Sequence, residues 1–286
     1  MEIIVGKTAG FCYGVKNAVD KATEELEKSK NVCCLGEIVH NGKVVEELQN
    51  KGMIFIEDLD DNKNADKTII RAHGVPKAIY EEAEKKGIEL IDLTCPKVLK
   101  IHKIVSEYAS RGYYIFLIGN KVHPETLGTA SFCGTTSYVI EQEDDIDQAI
   151  SQFKSSQNKN LLIVVQTTFS MEKFDKYIEI IKSKINEGIN LEVINTICNA
   201  TKVRQEETAE MSKNVDFMII IGGKNSSNTK KLYEISCKNC KKVICIEDSS
   251  EINIQDIKGL NAVGIMAGAS TPQKSVDEVV QLLKNT

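Results

Sequence analysis

The sequence has few of the features that mark membrane or secreted proteins. It contains four prolines and no tryptophan in 286 residues, and its longest apolar runs, such as FMIII at 217–221, are strand-sized. A membrane-spanning helix needs about 20 apolar residues, so we expect no membrane partner. MEIIVGK has no basic stretch followed by a long apolar run, so we expect no signal peptide and a cytoplasmic protein.

Positive charge is also scarce. Lys and Arg number 36 against 41 Asp and Glu, which gives a formal net charge of −5, and no basic patch stands out. Nucleic acid is therefore not an expected partner. Hydrophobic residues make up 42% and charged residues 27%, which is typical of a globular chain long enough for two or three small domains.

Cysteine, by contrast, is abundant. Nine cysteines is an odd number, and a reducing compartment disfavours disulfides, so metal binding or redox chemistry has to be considered. VCCL at 32–35 and Cys245 lie in strand patterns, which favours burial in a core. The C-x-x-C pair Cys237 and Cys240 has no second pair of ligands nearby, so we assign it no metal, and Cys133 has no predicted role.

Short β-branched runs alternate with longer amphipathic runs along the chain. In 96–112, for example, Val98, Ile101 and Val105 fall on one helical face, with His102 beside it and partly buried. Such alternation predicts an α/β fold with parallel sheets covered by helices. The predicted strands are IIV (3–5), VCCL (32–35), TIIRA (68–72), LIDL (90–93), YYIFLIG (113–119), LLIVVQ (161–166), LEVINT (191–196), FMIIIG (217–222), KVICIE (242–247) and AVGIMA (262–267).

In parallel α/β sheets, functional residues collect in the loops that follow the carboxyl ends of strands. These loops hold all four prolines, which predicts helices that begin there with their positive ends towards the site. The loops are GKTAGFCYG (6–14), GEIVHNG (36–42), RAHGVP (71–76), DLTCPKV (92–98), GNKVHPET (119–126), VQTTFS (165–170), NTICNAT (195–201), GGKNSSNT (222–229) and MAGASTP (266–272).

The loops repeat at a coarse period. Corresponding residues recur at intervals of roughly 80 to 100 positions, as Cys95 and Cys198 do. This suggests three related α/β units, with the strand at 3–5 completing the third. Three units around one axis would bring Cys12, Cys95 and Cys198 together.

The side chains of these loops suggest a metal site beside an anion site. Three thiolates from distant loops suit a metal or an iron–sulfur cluster with one iron left open to substrate. His40, His73 and His123, with the hydroxyls and backbone N–H groups of GGKNSSNT and Ser270, could form a diphosphate pocket. Glu125 is the carboxylate among these loops that could deliver a proton.

Nine motifs, taken together, resemble the 4-hydroxy-3-methylbut-2-enyl diphosphate reductase family of the non-mevalonate isoprenoid pathway. They are AGFCYGV, GEIVHN, RAHGVP, DLTCPKV, NKVHPET, VQTTFS, NTICNAT, KNSSNT and AGASTP, in that order, and they cover essentially the whole chain. The resemblance implies three pseudo-threefold-related α/β domains with small parallel sheets, arranged as a trefoil around a central cluster. We place them at 13–96, at 97–194, and at 195–286 together with 1–12.

The resemblance also implies the site residues. Cys12, Cys95 and Cys198 would hold a [4Fe–4S] cluster whose fourth iron binds the substrate hydroxyl. Thr167 and Glu125 would lie beside that hydroxyl, with Glu125 feeding protons. The residues around the diphosphate would be His40, His73, His123, Thr168, Ser226, Ser227, Asn228 and Ser270.

The implied reaction is a two-electron reductive dehydroxylation that gives isopentenyl diphosphate, dimethylallyl diphosphate and water. The electrons would come from ferredoxin, flavodoxin or a similar donor, and we expect a monomer. Two alternatives stay open. One is a non-catalytic iron–sulfur redox or metabolite sensor with a phosphate pocket, and the other is a zinc-dependent phosphohydrolase that uses the histidines.

Overall fold

The computed structural model describes residues 1–29, 31–62 and 65–285; Lys30, Lys63, Asn64 and Thr286, which the predicted domains include, lie outside them. The strands of this part of the chain are β1 (Glu2–Val5), β2 (Val32–Leu35), β3 (Ile54–Ile56), β4 (Lys67–Ile70), β5 (Leu90–Asp92), β6 (Tyr114–Ile118), β7 (Ser137–Ile140), β8 (Asn160–Val165), β9 (Asn190–Val193), β10 (Phe217–Ile221), β11 (Val243–Ile246) and β12 (Ala262–Ala267). The α-helices are α1 (Tyr13–Lys28), α2 (Gly42–Asn50), α3 (Lys77–Lys86), α4 (Pro96–Ser110), α5 (Pro124–Ser131), α6 (Asp145–Ser155), α7 (Met171–Lys184), α8 (Asn199–Lys213), α9 (Ser227–Asn239) and α10 (Gln273–Lys284). Three short 3-10 turns occur in the described residues, at Leu59–Asp61, Ser249–Glu251 and Ile254–Asp256.

The strands form three parallel sheets of four strands each within the described ranges, in the orders β11-β10-β12-β1, β3-β2-β4-β5 and β7-β6-β8-β9. The order is the same in all three sheets if the strands of the first sheet are counted from β10. The second strand along the chain lies at one edge, the first lies next to it, and the third and fourth follow. The first sheet completes this pattern with β1, which pairs with β12 from the far end of the sequence. The predicted α/β class and the three small parallel sheets are confirmed.

The chain folds into two compact units. One comprises Met1–Thr23, Val39–Lys51 and Asn199–Thr286, and the other comprises Glu24–Ile38 and Gly52–Cys198. The first unit contains the sheet of β1 and β12, and the second contains the other two sheets. The three-domain boundaries stay a prediction.

The ten predicted strands are all present, with ends shifted by up to three residues. Two further strands, β3 and β7, were missed. Each lies at the edge of its sheet beside the first strand of that sheet. The helix predicted over 96–112 is α4, and His102 is buried within it, with its ring stacked on that of Phe132 at a centroid distance of 4.4 Å.

Strand β10 shows how both faces of a sheet are buried. Phe217 and Ile221 belong to a cluster with Val276 of α10 on one face, whereas Ile220 packs with Leu232 of α9 on the other. A parallel strand that is covered on both sides has no solvent-facing positions, and this explains why its sequence is a continuous apolar run. Among the described residues, no helix is long and apolar enough to cross a membrane.

Candidate active site

Each of the three cysteines predicted to bind metal directly precedes a helix: Cys12 precedes α1, Cys95 precedes α4 and Cys198 precedes α8. The backbone N–H of each donates a hydrogen bond to a carbonyl in the loop after the third strand of a sheet order. The pairs are Cys12 with Ala269, Cys95 with Ala72 and Cys198 with Thr167, each at 3.0 Å. The three sheets therefore hold their cysteines by the same contact, which supports the predicted repeat.

The three thiols differ from the other cysteines in their surroundings. Cys12, Cys95 and Cys198 are all partly exposed and none of them is in a disulfide, and the amino end of a helix favours negative charge beside each. Such thiols can ligate metal as thiolates. The remaining cysteines are the buried Cys33, Cys34, Cys133 and Cys240, the partly buried Cys245 in β11, and the exposed Cys237.

Glu125, the residue predicted to deliver protons, lies in the first turn of α5, because Pro124 begins the helix. Its carboxylate is buried, with 3% of the residue exposed, and both oxygens contact Thr167. Oε1 accepts the Thr167 backbone N–H at 2.7 Å, and Oε2 accepts the Thr167 hydroxyl at 2.7 Å. The structure thus brings together the two residues predicted to act on the substrate hydroxyl.

Burial gives this carboxyl a pKa suited to proton transfer. Removal from water raises the pKa of Glu125 from its ordinary value of 4.5 to about 6, and the two hydrogen bonds from Thr167 only partly oppose the rise. A group with a pKa near the working pH can hold a proton and still release it readily.

The raised pKa predicts a pH-dependent stability. Between the unfolded pKa of 4.5 and the folded pKa of about 6, the unfolded state loses its proton first, so the free energy of unfolding falls as pH rises. The loss for this group is roughly 2 kcal/mol. Urea unfolding from pH 4 to 7 should therefore show the stability of wild type falling relative to Glu125→Gln. Parallel curves for the two proteins would contradict this.

His123 contacts both Glu125 and a second histidine, His73. It is the N-cap of α5, and its Nδ1 accepts the Glu125 backbone N–H at 3.1 Å, so in the neutral ring the proton sits on Nε2. The ring stands edge-on to that of His73, with 5.4 Å between centroids and planes at 85°. Two of the three predicted diphosphate histidines are thus neighbours, and His123 can present a donor to an anion.

The third predicted histidine, His40, is held by its backbone. Its carbonyl accepts the Ser270 hydroxyl at 3.1 Å. A Cβ on Gly223 would lie 2.6 Å from the same carbonyl oxygen, so only glycine fits there. The loops after β10 and β12 therefore fix the His40 backbone, and they link two of the residues predicted to bind diphosphate.

The first turn of α9 presents a buried amide whose atoms find no hydrogen-bond partner among the described residues. Ser226 caps α9 by accepting the Thr229 N–H at 3.3 Å, and Ser227 begins the helix. Asn228 is 3% exposed, yet neither its side-chain oxygen nor its nitrogen has a hydrogen-bond partner within the described residues. A buried polar group that is left without a hydrogen bond costs about 1–3 kcal/mol, so this amide fits a polar ligand such as a phosphate at the helix amino end.

Gln166, a buried residue between loops of the second unit, was not among the predicted site residues. Its Oε1 accepts the Asn120 N–H at 3.0 Å, and its Nε2 donates to the Thr168 hydroxyl at 3.1 Å. Gln166 thereby ties the predicted diphosphate residue Thr168 to the loop after β6. In the sequence, the feature that could have indicated Gln166 is its position in VQTTFS, immediately before Thr167 and Thr168.

Comparison with known proteins gives one answer throughout. Residues 3–284 match the family model described as LytB protein. The chain is 43% identical over 289 residues to 4-hydroxy-3-methylbut-2-enyl diphosphate reductase of Caldanaerobacter subterraneus subsp. tengcongensis, covering 100% of this chain and 97% of the relative. It is 39% identical over 286 residues to the protein of the same name in Clostridioides difficile, covering 100% of both.

Solved structures agree. A structure titled (E)-4-hydroxy-3-methyl-but-2-enyl diphosphate reductase, the terminal enzyme of the non-mevalonate pathway, matches with a TM-score of 0.72 and 39% identity over 100% of both chains. The E-1-hydroxy-2-methyl-but-2-enyl-4-diphosphate reductase from Plasmodium falciparum matches with a TM-score of 0.92 and 33% identity, covering 99% of this chain and 88% of that one.

The fold is α/β, and the similarity to named reductases shows that this chain is an oxidoreductase. These similarities extend over the whole sequence and are not confined to one motif. The chain belongs to the LytB protein family.

Proposed function

We propose that this chain catalyses the reductive dehydroxylation of 4-hydroxy-3-methylbut-2-enyl diphosphate to isopentenyl and dimethylallyl diphosphate. Full-length relatives at about 40% identity carry the name of that reductase. Within this chain, the observation that carries the proposal is the buried Glu125–Thr167 pair, a proton donor with a pKa of about 6 bonded to a hydroxyl.

We assign Cys12, Cys95 and Cys198 as the ligands of a [4Fe–4S] cluster. The donor set fits, because thiolate is the usual ligand of iron–sulfur clusters and all three thiols are partly exposed and outside any disulfide. When bound, such a cluster supplies electrons and, with only three protein ligands, an iron that can act as a Lewis acid.

The role of Glu125 follows from its contacts. The reaction breaks one C–O bond and consumes two electrons and two protons, one of which leaves with the hydroxyl as water. A protonated Glu125 can donate to the Thr167 hydroxyl, which can then turn its own proton towards the substrate oxygen. The backbone N–H of Thr167 keeps the other carboxyl oxygen in place, so the acid stays aligned between turnovers.

The diphosphate is proposed to bind His40, His73, His123, Thr168, Ser226, Ser227, Asn228 and Ser270. Asn228 supports this assignment most directly, since its buried amide finds no partner among the described residues. Imidazoles and hydroxyls can satisfy phosphate oxygens without an Arg clamp. Anchoring the diphosphate fixes the distance of the allylic hydroxyl from the acid.

Three further proposals concern the electron donor, the oligomeric state and the location of the protein. We propose a ferredoxin or flavodoxin type of electron donor, a monomer and a cytoplasmic location. The substrate class needs neither nucleic acid nor membrane.

Anaerobic purification and turnover test the proposal against its alternatives. A cluster of about four irons with release of both isoprenoid diphosphates on reduction supports the reductase. Iron without turnover would instead indicate a sensor. Zinc with phosphate release, and no reduced product, would indicate a phosphohydrolase.

The diphosphate residues make a separate prediction. His40→Ala and His73→Ala should each raise the KM for substrate and leave the cluster spectrum intact. The loss of binding free energy should be about 1.5–3 kcal/mol, as for a lost hydrogen bond to a charged group. Ser270→Ala should act in the same direction, partly because it frees the His40 backbone. Ser183→Ala, on the exposed side of α7, is the matched control. Unchanged inhibition by pyrophosphate in the histidine variants would contradict the assignment.

A further inference from the structure

The loop that leads to Cys12 is the longest of the three that precede a proposed ligand. It covers residues 6–11 after β1, whereas 93–94 separate β5 from Cys95 and 194–197 separate β9 from Cys198. A longer loop costs more entropy to fix in one conformation. The shorter loops use nearby side chains, such as Asp92 Oδ1, which accepts the Thr94 N–H at 2.9 Å. The Cys12 loop is held from a distant helix instead.

Glu207 of α8 binds the beginning of this loop. Its Oε1 accepts the Lys7 N–H at 2.6 Å, and its Oε2 accepts the N–H and the hydroxyl of Thr8 at 3.0 and 2.5 Å. One carboxylate thus satisfies three donors, two of them on the backbone. Hydrogen bonds to an ionised acceptor are stronger than neutral ones.

Arg204, one helical turn earlier, binds the next part of the loop. Its Nε and Nη2 donate to the Thr8 carbonyl at 3.0 and 2.5 Å, and Nη2 also donates to the Gly10 carbonyl at 2.8 Å. The side chain is 97% buried and its planar fork spans two carbonyls, a geometry that Lys lacks. Gly10 has a φ of 107°, which favours glycine, so the chain turns there towards Cys12.

Residues 204 and 207 lie on the same face of α8, as positions three apart do in a helix. Their contacts cover the loop from Lys7 to Gly10, and the Cys12 N–H on Ala269 fixes its far end. The helix that carries them starts directly after Cys198. One helix therefore follows one proposed ligand and holds the loop of another.

We propose that Arg204 and Glu207 are positioning residues that fix the Cys12 thiol for metal ligation. The proposal rests on the proposed function only in treating Cys12 as a ligand. A carboxamide at 207 has one acceptor oxygen, so in either orientation one of the backbone N–H groups of Lys7 and Thr8 loses its partner. The loop should then open locally while the sheet behind it stays closed.

The metal-free protein gives the first test. We expect iodoacetamide to alkylate Cys12 about ten-fold faster in Glu207→Gln than in wild type, as for loss of a hydrogen bond to a charged acceptor. Cys95 and Cys198, followed by mass spectrometry in the same sample, should keep their rates. Arg204→Lys should act in the same direction. Glu206→Gln, the neighbouring carboxylate on α8, which is exposed and pairs with Lys202, is the matched control.

The proposal fails if all three rates rise together, which would show general loosening, or if the Cys12 rate is unchanged. The second test uses the reconstituted protein, whose cluster absorbance in air should decay several-fold faster in Glu207→Gln than in Glu206→Gln. Equal decay would also overturn the proposal. If wild type binds no cluster at all, the proposed function fails, whereas the alkylation result still decides whether these residues position Cys12.

Discussion

Replacing Glu125 with Gln should lower turnover by roughly 10² or more while iron content and substrate binding are retained. The carboxamide keeps the shape of the side chain and one acceptor, which can still serve the Thr167 N–H, and its NH2 group can donate to the Thr167 hydroxyl, but it has no acidic proton to transfer. Turnover with a reduced artificial donor measures the effect. Because the pKa of Glu125 is about 6, wild-type turnover should decline as pH rises above that value, and the variant should lack this decline.

The control for this variant is Glu143→Gln, an exposed carboxylate that pairs with Lys176. Thr167→Val provides a second check, because it removes the hydroxyl on Glu125 Oε2 and leaves the backbone N–H on Oε1. Turnover should fall in Thr167→Val as well. Near-normal turnover in Glu125→Gln would remove the proton role and leave Glu125 as an acid that favours the start of α5.

Loss of a proposed ligand should be the most severe change. Cys12→Ser, Cys95→Ser and Cys198→Ser should each lose most iron and nearly all turnover, since a serine hydroxyl is a poor substitute for thiolate. Iron per chain after anaerobic reconstitution, together with the visible spectrum, measures the effect. The three variants should resemble one another, because the three cysteines make the same backbone contact.

Cys237→Ser is the control for ligand loss, because Cys237 is exposed on α9 and belongs to the C-x-x-C pair to which we assign no metal. Cys240→Ser should likewise leave iron content unchanged. If either variant lowered iron as much as Cys12→Ser does, the ligand assignment would be wrong.

Most of the fold was predictable because the inner strands are continuous apolar runs. Runs such as YIFLI in β6 and FMIII in β10 are buried at every position, so their composition alone indicates a covered parallel strand. The strand–helix junctions were predictable from the four prolines. Pro96 and Pro124 begin α4 and α5, and Pro76 and Pro272 directly precede α3 and α10.

The two missed strands lack that signal for a physical reason. β3 is three residues long and 57% of Ile54 is exposed, while no residue of β7 is fully buried before Ile140. An edge strand packs against one neighbour and needs fewer apolar residues. The repeat could have supplied both, because β11 occupies the equivalent edge in the first sheet and was predicted.

The chemistry of the site was predictable in part. Thr167 and Glu125 were paired from their motifs, and the structure joins them by two hydrogen bonds. The proposed roles of Arg204 and Glu207 were not predictable, because all but one of their partners in the Cys12 loop are backbone atoms nearly 200 positions away. Backbone atoms carry no sequence signal, so a contact of this kind becomes visible only in three dimensions.

The pairing of β1 with β12 has a consequence for the order of events during synthesis. Among the described strands β1 comes first along the chain, yet Ile3 lies opposite Val263 on β12, which comes last of them. The strands before Cys95 and Cys198, β5 and β9, pair with neighbours made shortly before them, so their sheets can close on the growing chain. Cys12 must wait until β12 has been translated. If Cys12, Cys95 and Cys198 hold a metal as proposed, all three can do so only after β12 has been made.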